Sequence, residues 1–197
     1  WMVFLAQKYS SMFIKGTWIT LYIAVIGTLL GFVLGYVVGI VNDIKINDGD
    51  HIIKKIIIRI VKVIFTIYVE VFRGTPMIVQ AVFIYYGASQ LFNIQMGMWQ
   101  SAFIIVSINT GAYMAESVRG GIISIDPGQM EGAKAIGMNH FQAMTNVILP
   151  QAFRNIIPQI GNNFIINIKD TSVLSVISIV DLFFVHKSVA GALYTYF

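Results

Sequence analysis

Glu131-Gly132-Ala133-Lys134-Ala135-Ile136-Gly137, followed at a fixed distance by Val147-Ile148-Leu149-Pro150, lies in a polar interruption at residues 120–149 of an otherwise membrane-loving chain. The stretch reads as two short helices joined at a glycine. Asp126 is placed to cap the first helix, Pro127 suits its first turn, and Gln129 stands where a capping-box partner would. Gly137 can end that helix in a left-handed conformation. Asn139 can cap the second helix with Gln142 three residues later, and Pro150 is expected to stop it. A compact helical hairpin between membrane spans suits insertion into another protein; the plainer reading is a cytoplasmic hairpin without a partner.

The chain is 57% hydrophobic and 11% charged, with mean hydropathy +0.77. Soluble domains carry about 25% charged residues, so the deficit places this chain in a bilayer. Its 197 residues suffice for one all-α membrane domain and leave no room for an additional soluble enzyme domain. The net charge of +4 is modest, and no basic, aromatic-interleaved patch points to nucleic acid. There is no cysteine, hence no disulfide framework and no thiolate metal site. The chain begins at Trp1, so a natural N-terminus further upstream is expected. The first apolar run is long enough to span, unlike a cleavable signal peptide.

Residues 17–41 contain no charge, and at 1.5 Å per residue they can cross a hydrocarbon core of about 30 Å. Gly27, Gly31, Gly35 and Gly39 recur every fourth residue, a smooth stripe suited to close helix packing. Residues 52–72 alternate long aliphatics with Lys54, Lys55, Arg59 and Lys62, the pattern of an interfacial helix. With Lys45 these form the densest basic segment, which the positive-inside rule places in the cytoplasm and the N-terminus outside. A second span is expected over about 76–92 and a third over about 98–118. The 120–149 loop then returns to the cytoplasm, a placement independent of the charge argument. A fourth span after Pro150 is predicted to be interrupted at Pro158 and at Lys169-Asp170-Thr171-Ser172, with apolar sequence resuming over 173–185. Ala190 to Phe197 reads as the start of a fifth span cut short, since a full span needs roughly 20 apolar residues.

Charges inside a bilayer are costly, which makes each one a functional candidate. In Glu70-Val71-Phe72-Arg73-Gly74-Thr75-Pro76, Gly74 and Pro76 break a helix and free backbone groups beside Arg73 and Thr75. Arg73 can hold a carboxylate bidentately; alternatively it pairs with Glu70, three residues away. Asn167 and Asp170 share a face and offer an amide and an anion to an amino acid's ammonium or side chain. Alternatively Lys169 and Asp170 form a structural pair beside Ser172. Ser107, Asn109, Thr110, Tyr113 and Glu116 can line a polar pathway, although Glu116 and Arg119 also have the spacing of a plain surface pair.

The hairpin resembles the signature loop of binding-protein-dependent ABC transporter permeases, whose pattern is Glu-Ala-Ala, three residues, Gly, nine residues, then Ile-x-Leu-Pro. Glu131, Ala133, Gly137, Leu149 and Pro150 match, whereas Gly132 and Val147 depart conservatively. Glu70-x-Phe72-Arg73-Gly74-Thr75-Pro76, Ala115-Glu116-x-x-Arg119-Gly120-Gly121-Ile122 and Lys169-Asp170-Thr171-Ser172 resemble segments of the polar amino acid permeases within that family; the likeness covers most of residues 16–185. It implies a multi-pass permease of the bacterial inner membrane with about five transmembrane helices, all of 1–197 forming one transmembrane domain. The implied function is ATP-driven import of polar or charged L-amino acids. The implied partners are two ABC ATPase subunits, which bind ATP and Mg, a second permease chain, an extracytoplasmic amino-acid-binding protein and membrane lipid. Glu131, Ala133, Gly137, Leu149 and Pro150 would couple to the ATPase. Arg73, Asn167 and Asp170, with Glu70, Thr75 and Ser172 beside them, would meet substrate.

The chain has no Gly-x-x-x-x-Gly-Lys-Ser/Thr loop to cradle phosphates, so it is expected to be a non-catalytic subunit without a cofactor of its own. An intramembrane enzyme would need a metal cluster or a nucleophile–base pair. His51, His140 and His186 are scattered and form no such spacing. The remaining alternative is an ATP-independent secondary transporter or channel for small polar solutes, in which the hairpin would have no partner.

Overall fold

The computed structural model describes residues 2–44, 46, 49 and 51–194, with the side chains of 2–6 left aside. Lys45, Trp1 and residues 195–197, which entered the readings above, lie outside the described residues. All regular structure among the described residues is helical. The elements are α1 (Met2–Asp43), α2 (Ile52–Gly74), α3 (Met77–Val82), α4 (Ala88–Phe92), α5 (Met98–Ile123), α6 (Pro127–Ala135), α7 (His140–Ala143), α8 (Leu149–Asp170) and α9 (Leu182–Leu193). Wide π-helical turns at Phe83–Gly87 and Met144–Ile148 join α3 to α4 and α7 to α8. A tighter 3-10 segment, Thr171–Ile177, follows α8.

The glycine stripe of α1 decides how the body is built. A methyl group added at Gly31 would lie 2.5 Å from Thr110 Cβ, and one at Gly39 would lie 2.7 Å from Val118 Cβ. Gly27 and Gly35 abut Val106 and Met114 in the same way. Four glycines on a four-residue period thus meet four α5 residues on the same period, in the same chain direction. Absence of side chains lets the two backbones approach closely, which drives helix association where no hydrophobic effect operates between helices.

Parallel α1 and α5 require the intervening chain to run back. Lys62 Nζ donates to Asn42 O at the end of α1, 2.8 Å away, and further along α2 Tyr68 Oη donates to Ile108 O at 2.6 Å. Met77 and Ala81 of α3 then join Ile23, Ala102, Ile105 and Val106 in one buried cluster. The second half of α2 with α3 and α4 therefore forms the return path. This corrects the expectation of a wholly interfacial helix over 52–72: Val69 is buried against Val38 and Ala115. Met77–Phe92 is apolar, but at 1.5 Å per residue it is too short to cross about 30 Å alone. Gln7–Asp43 has the length and composition of a span by itself.

α8 runs antiparallel to α5, with Ala152 and Ile156 against Gly121 at one end and Asn167 against Thr110 at the other. Two expectations fail here. Pro150 does not stop the second hairpin helix. The π-helical turn just before it widens the backbone, and the helix runs on into α8. Pro158 likewise sits inside α8, on its exposed side, and does not interrupt it. The break at 169–172 is real but gentle, a tightening into 3-10 geometry. The chain turns at Ser178, which has φ +66°, and α9 leaves at a 59° bend. Residues 173–185 are therefore not one apolar helix. Asp181 caps α9 by accepting from Phe184 N at 2.8 Å, and Thr20 of α1 accepts from Leu182 N at 3.1 Å.

Candidate translocation and coupling sites

Helix breaks inside a membrane protein leave backbone groups that must find partners. At the Gly74–Pro76 break one side chain reaches two of them. Gln80 Nε2 donates to Phe72 O, Thr75 O and Thr75 Oγ1, each at 2.9 Å. Asn109 of α5 donates to Gln80 Oε1 at 3.0 Å and so locks this arrangement to the body. Both residues are buried. Asn109 thus stitches a broken helix and does not line an open pathway. Gln80 escaped the sequence reading; its signal was a lone amide four residues past the proline of a helix break, in apolar surroundings.

Asn167 has a similar job. Its Nδ2 donates to Thr28 Oγ1 at 2.8 Å and to Thr110 Oγ1 at 2.9 Å, joining α8 to α1 and α5. The node is buried. Thr28 was also missed, hidden among the apolar residues of α1. Asp170, half-buried, lies at the end of α8 three residues past this node, with Ser172 half-buried just beyond and Lys169 exposed.

Arg73, at the end of α2, meets α5 one to two turns further along than Thr110. Its guanidinium carbon stands 5.8 Å from the centre of the Tyr113 ring, and Nη1 is 3.7 Å from Glu116 Oε2. Among the described residues its ion pair runs to Glu116 and not to Glu70, which is exposed. Glu116 in turn takes a two-pronged contact from Arg119, Nε to Oε1 at 3.2 Å and Nη2 to Oε2 at 3.1 Å. The surface pair anticipated for Glu116 exists, and Arg73 adjoins it. From Thr110 to Glu116 is six residues of α5, about 9 Å along the axis. The Asn167 node and the Arg73–Glu116 pair therefore sit at different levels of α5, less than two turns apart. The expected pathway residues divide: Ser107, Asn109 and Thr110 are buried between helices, whereas Tyr113 faces outward and Glu116 is half-exposed.

The polar hairpin is built as its sequence indicates. Asp126 Oδ1 accepts from Gly128 N at 2.6 Å and caps α6. Gln129 does not complete a capping box; its Oε1 instead accepts from Gln151 Nε2 at 3.3 Å, tying α6 to the start of α8. Gly137 has φ +90° and donates to Lys134 O at 3.0 Å, ending α6 in a left-handed turn that a side chain would strain. Asn139 and Gln142 form a reciprocal capping box at 2.9 and 3.0 Å. At the base, Met130, Met144, Val147 and Leu149 pack on Val118, Ile122, Ile148 and Ala152, fastening the hairpin to α5 and α8. Ala133 is buried, while Glu131, Gly137 and Pro150 are exposed. At the tip, Ile136 and Phe141 are 76% and 74% exposed, an apolar pair flanking Gly137. Between the hairpin and the end of α1 lies a cavity of about 470 Å³, bordered by Asp43, Asp126, Glu131, Lys134 and His140.

The family model described as "binding-protein-dependent transport system inner membrane component" matches residues 57–185. A glutamine transport system permease protein of Rickettsia prowazekii is 33% identical over 184 residues, covering 93% of this chain and 79% of the relative. An L-cystine transport system permease protein of Bacillus subtilis is 44% identical over 126 residues, covering 64% of this chain but only 53% of the relative. A crystal structure of an amino acid ABC transporter with histidines superposes with TM-score 0.83 at 35% identity, over 96% of this chain and 83% of that one. The methionine ABC transporter MetNI in an inward-facing form shares the fold, with TM-score 0.66 at 22% identity.

Proposed function

We propose, from the premise that this chain belongs to the family of binding-protein-dependent transport system inner membrane components, that it is the permease subunit of an ATP-driven importer of polar or charged L-amino acids. Two ATPase subunits, which bind ATP and Mg, work with two permease chains, and an extracytoplasmic binding protein delivers the amino acid. The chain itself is non-catalytic. Its N-terminus lies outside, because the basic stretch Lys54–Lys62 and the hairpin share the opposite end of the molecule.

The observation that carries this reading is the hairpin. Its tip presents two large apolar side chains to the exterior, and its base is packed into the same cluster that holds α5 and α8. A push on the tip is thereby passed to the helices that carry Glu116 and Asn167. Glu131, Ala133, Gly137, Leu149 and Pro150 form or support that coupling element. Arg73, Asn167, Asp170, Glu70, Thr75 and Ser172 are assigned to the substrate region. Arg73 binds the α-carboxylate, since its guanidinium makes no hydrogen bond among the described residues and retains its full donor set.

The test uses the full complex in sealed vesicles, with L-glutamine, L-arginine and L-cystine as the uptake panel. Glu131→Ala and Gly137→Val are expected to leave the complex folded and hydrolysing ATP while uptake falls at least tenfold. Undiminished ATP-driven uptake in both variants would defeat the coupling role. Uptake of any of the three without ATP, driven by an ion gradient, would favour a secondary transporter.

A further inference from the structure

Arg73 stands close to a carboxylate that belongs to the protein itself. Glu116 Oε2 is 3.7 Å from Arg73 Nη1, too far for a hydrogen bond but near enough to close by a small side-chain movement. What holds it back is visible. Arg119, one turn further along α5, grips both Glu116 oxygens in a fork, at 3.2 and 3.1 Å. A carboxylate held bidentately by one guanidinium has little freedom to rotate toward another. Arg73 meanwhile leans over the Tyr113 ring, which stabilises its cation without using an N–H donor.

We propose that Glu116 is an internal competitor for Arg73 and that Arg119 is a positioning residue that keeps this competitor away, so setting the affinity for the incoming α-carboxylate. This rests on the assignment of Arg73 as the carboxylate contact. Without Arg119, Glu116 swings to Arg73 and occupies the guanidinium that the substrate needs. The apparent dissociation constant then rises in inverse proportion to the fraction of Arg73 left unoccupied. The competitor and the substrate present the same chemical group. The pair therefore tunes affinity for any amino acid bearing a free α-carboxylate and leaves side-chain preference to other residues.

The closing experiment is a double-mutant cycle on the reconstituted complex, read as KM and kcat for uptake of the same three amino acids at saturating ATP. Arg119→Gln is expected to raise KM about threefold to tenfold at unchanged kcat. Arg119→Lys keeps the charge but loses the fork, and is expected to raise KM by a smaller factor in the same direction. Glu116→Gln leaves KM at or below the parent value, and the double variant Glu116→Gln/Arg119→Gln returns to the Glu116→Gln level. That rescue is not expected of a merely structural arginine. An equal rise in KM for Arg119→Gln with and without Glu116 would overturn the proposal while leaving Arg73 in place. An Arg73→Gln variant with parental KM would instead remove the carboxylate contact, and this proposal with it.

Discussion

The α1–α5 seam and the α6–α7 hairpin both depend on glycine, for opposite reasons. In the seam, Gly31 and Gly39 stand where any side chain would run into Thr110 or Val118. The limiting quantity is space, and the backbone there is ordinary helix. In the hairpin, Gly137 has nothing within 4 Å of a would-be side chain, yet its φ is +90°. There the limiting quantity is conformation, and space is plentiful. A crowded seam resists motion and gives a stiff body. An uncrowded turn held by caps and one packed base gives a small capped unit fastened to the body along one side. The same residue type therefore marks close helix packing in one place and a left-handed turn in the other.

The sharpest way to break this contrast is to overfill the seam. Gly31→Leu is expected to destabilise the body by about 3 kcal/mol, since overpacking a tight contact costs on that scale and the neighbour here is the rigid β-branched Thr110. Thermal unfolding of the detergent-purified protein reads this, and an unchanged midpoint would mean the helices do not meet at that register. Next comes Gln80→Leu, which leaves the Thr75 carbonyl without its donor, leaves Phe72 O only the long 3.5 Å contact from Asn109 Nδ2, and is expected to cost about 2 kcal/mol in the same measurement. A loss well below that would show the helix break to be satisfied by other donors. Asn167→Ala removes the bonds to Thr28 and Thr110 and should cost about 1 kcal/mol, the usual worth of interhelical polar contacts in membranes. If uptake falls far more than stability, Asn167 also meets substrate. Ile136→Ser with Phe141→Ser should shift stability of the permease by less than about 0.5 kcal/mol, because both side chains are exposed. Co-purification of the ATPase subunits should nevertheless drop at least tenfold. Intact co-purification would place the docking contact elsewhere on the hairpin.

The hairpin was legible in sequence because its signals are local. Asp126, Gly137, Asn139 and Gln142 act on backbone groups within a few residues, so their chemistry needs no knowledge of the rest of the chain. Gln129 and Pro150 escaped the same logic. Gln129 is diverted to Gln151, and the strain at Pro150 is absorbed by a wide turn that no residue type announces. The polar residues of the spans were identified as unusual, but their work could not be read. Asn109 and Asn167 are both amides flanked by apolar sequence, and only their neighbours across the fold decide that each is a clamp.

By itself the sequence determined that this chain lives in a bilayer, that α1 carries a smooth packing face, and that a capped two-helix hairpin interrupts the apolar body. Composition, four-residue periodicity and capping chemistry act over one or two helical turns, and such distances are contained in the order of residues. The tertiary structure alone decided that α1 and α5 are parallel, that Gln80 mends the break at Pro76, and that Arg73 faces Glu116 in place of Glu70. Those outcomes depend on which helices lie side by side. A polar group buried away from water must take the partner that packing brings within about 3 Å, and sequence spacing does not fix that partner.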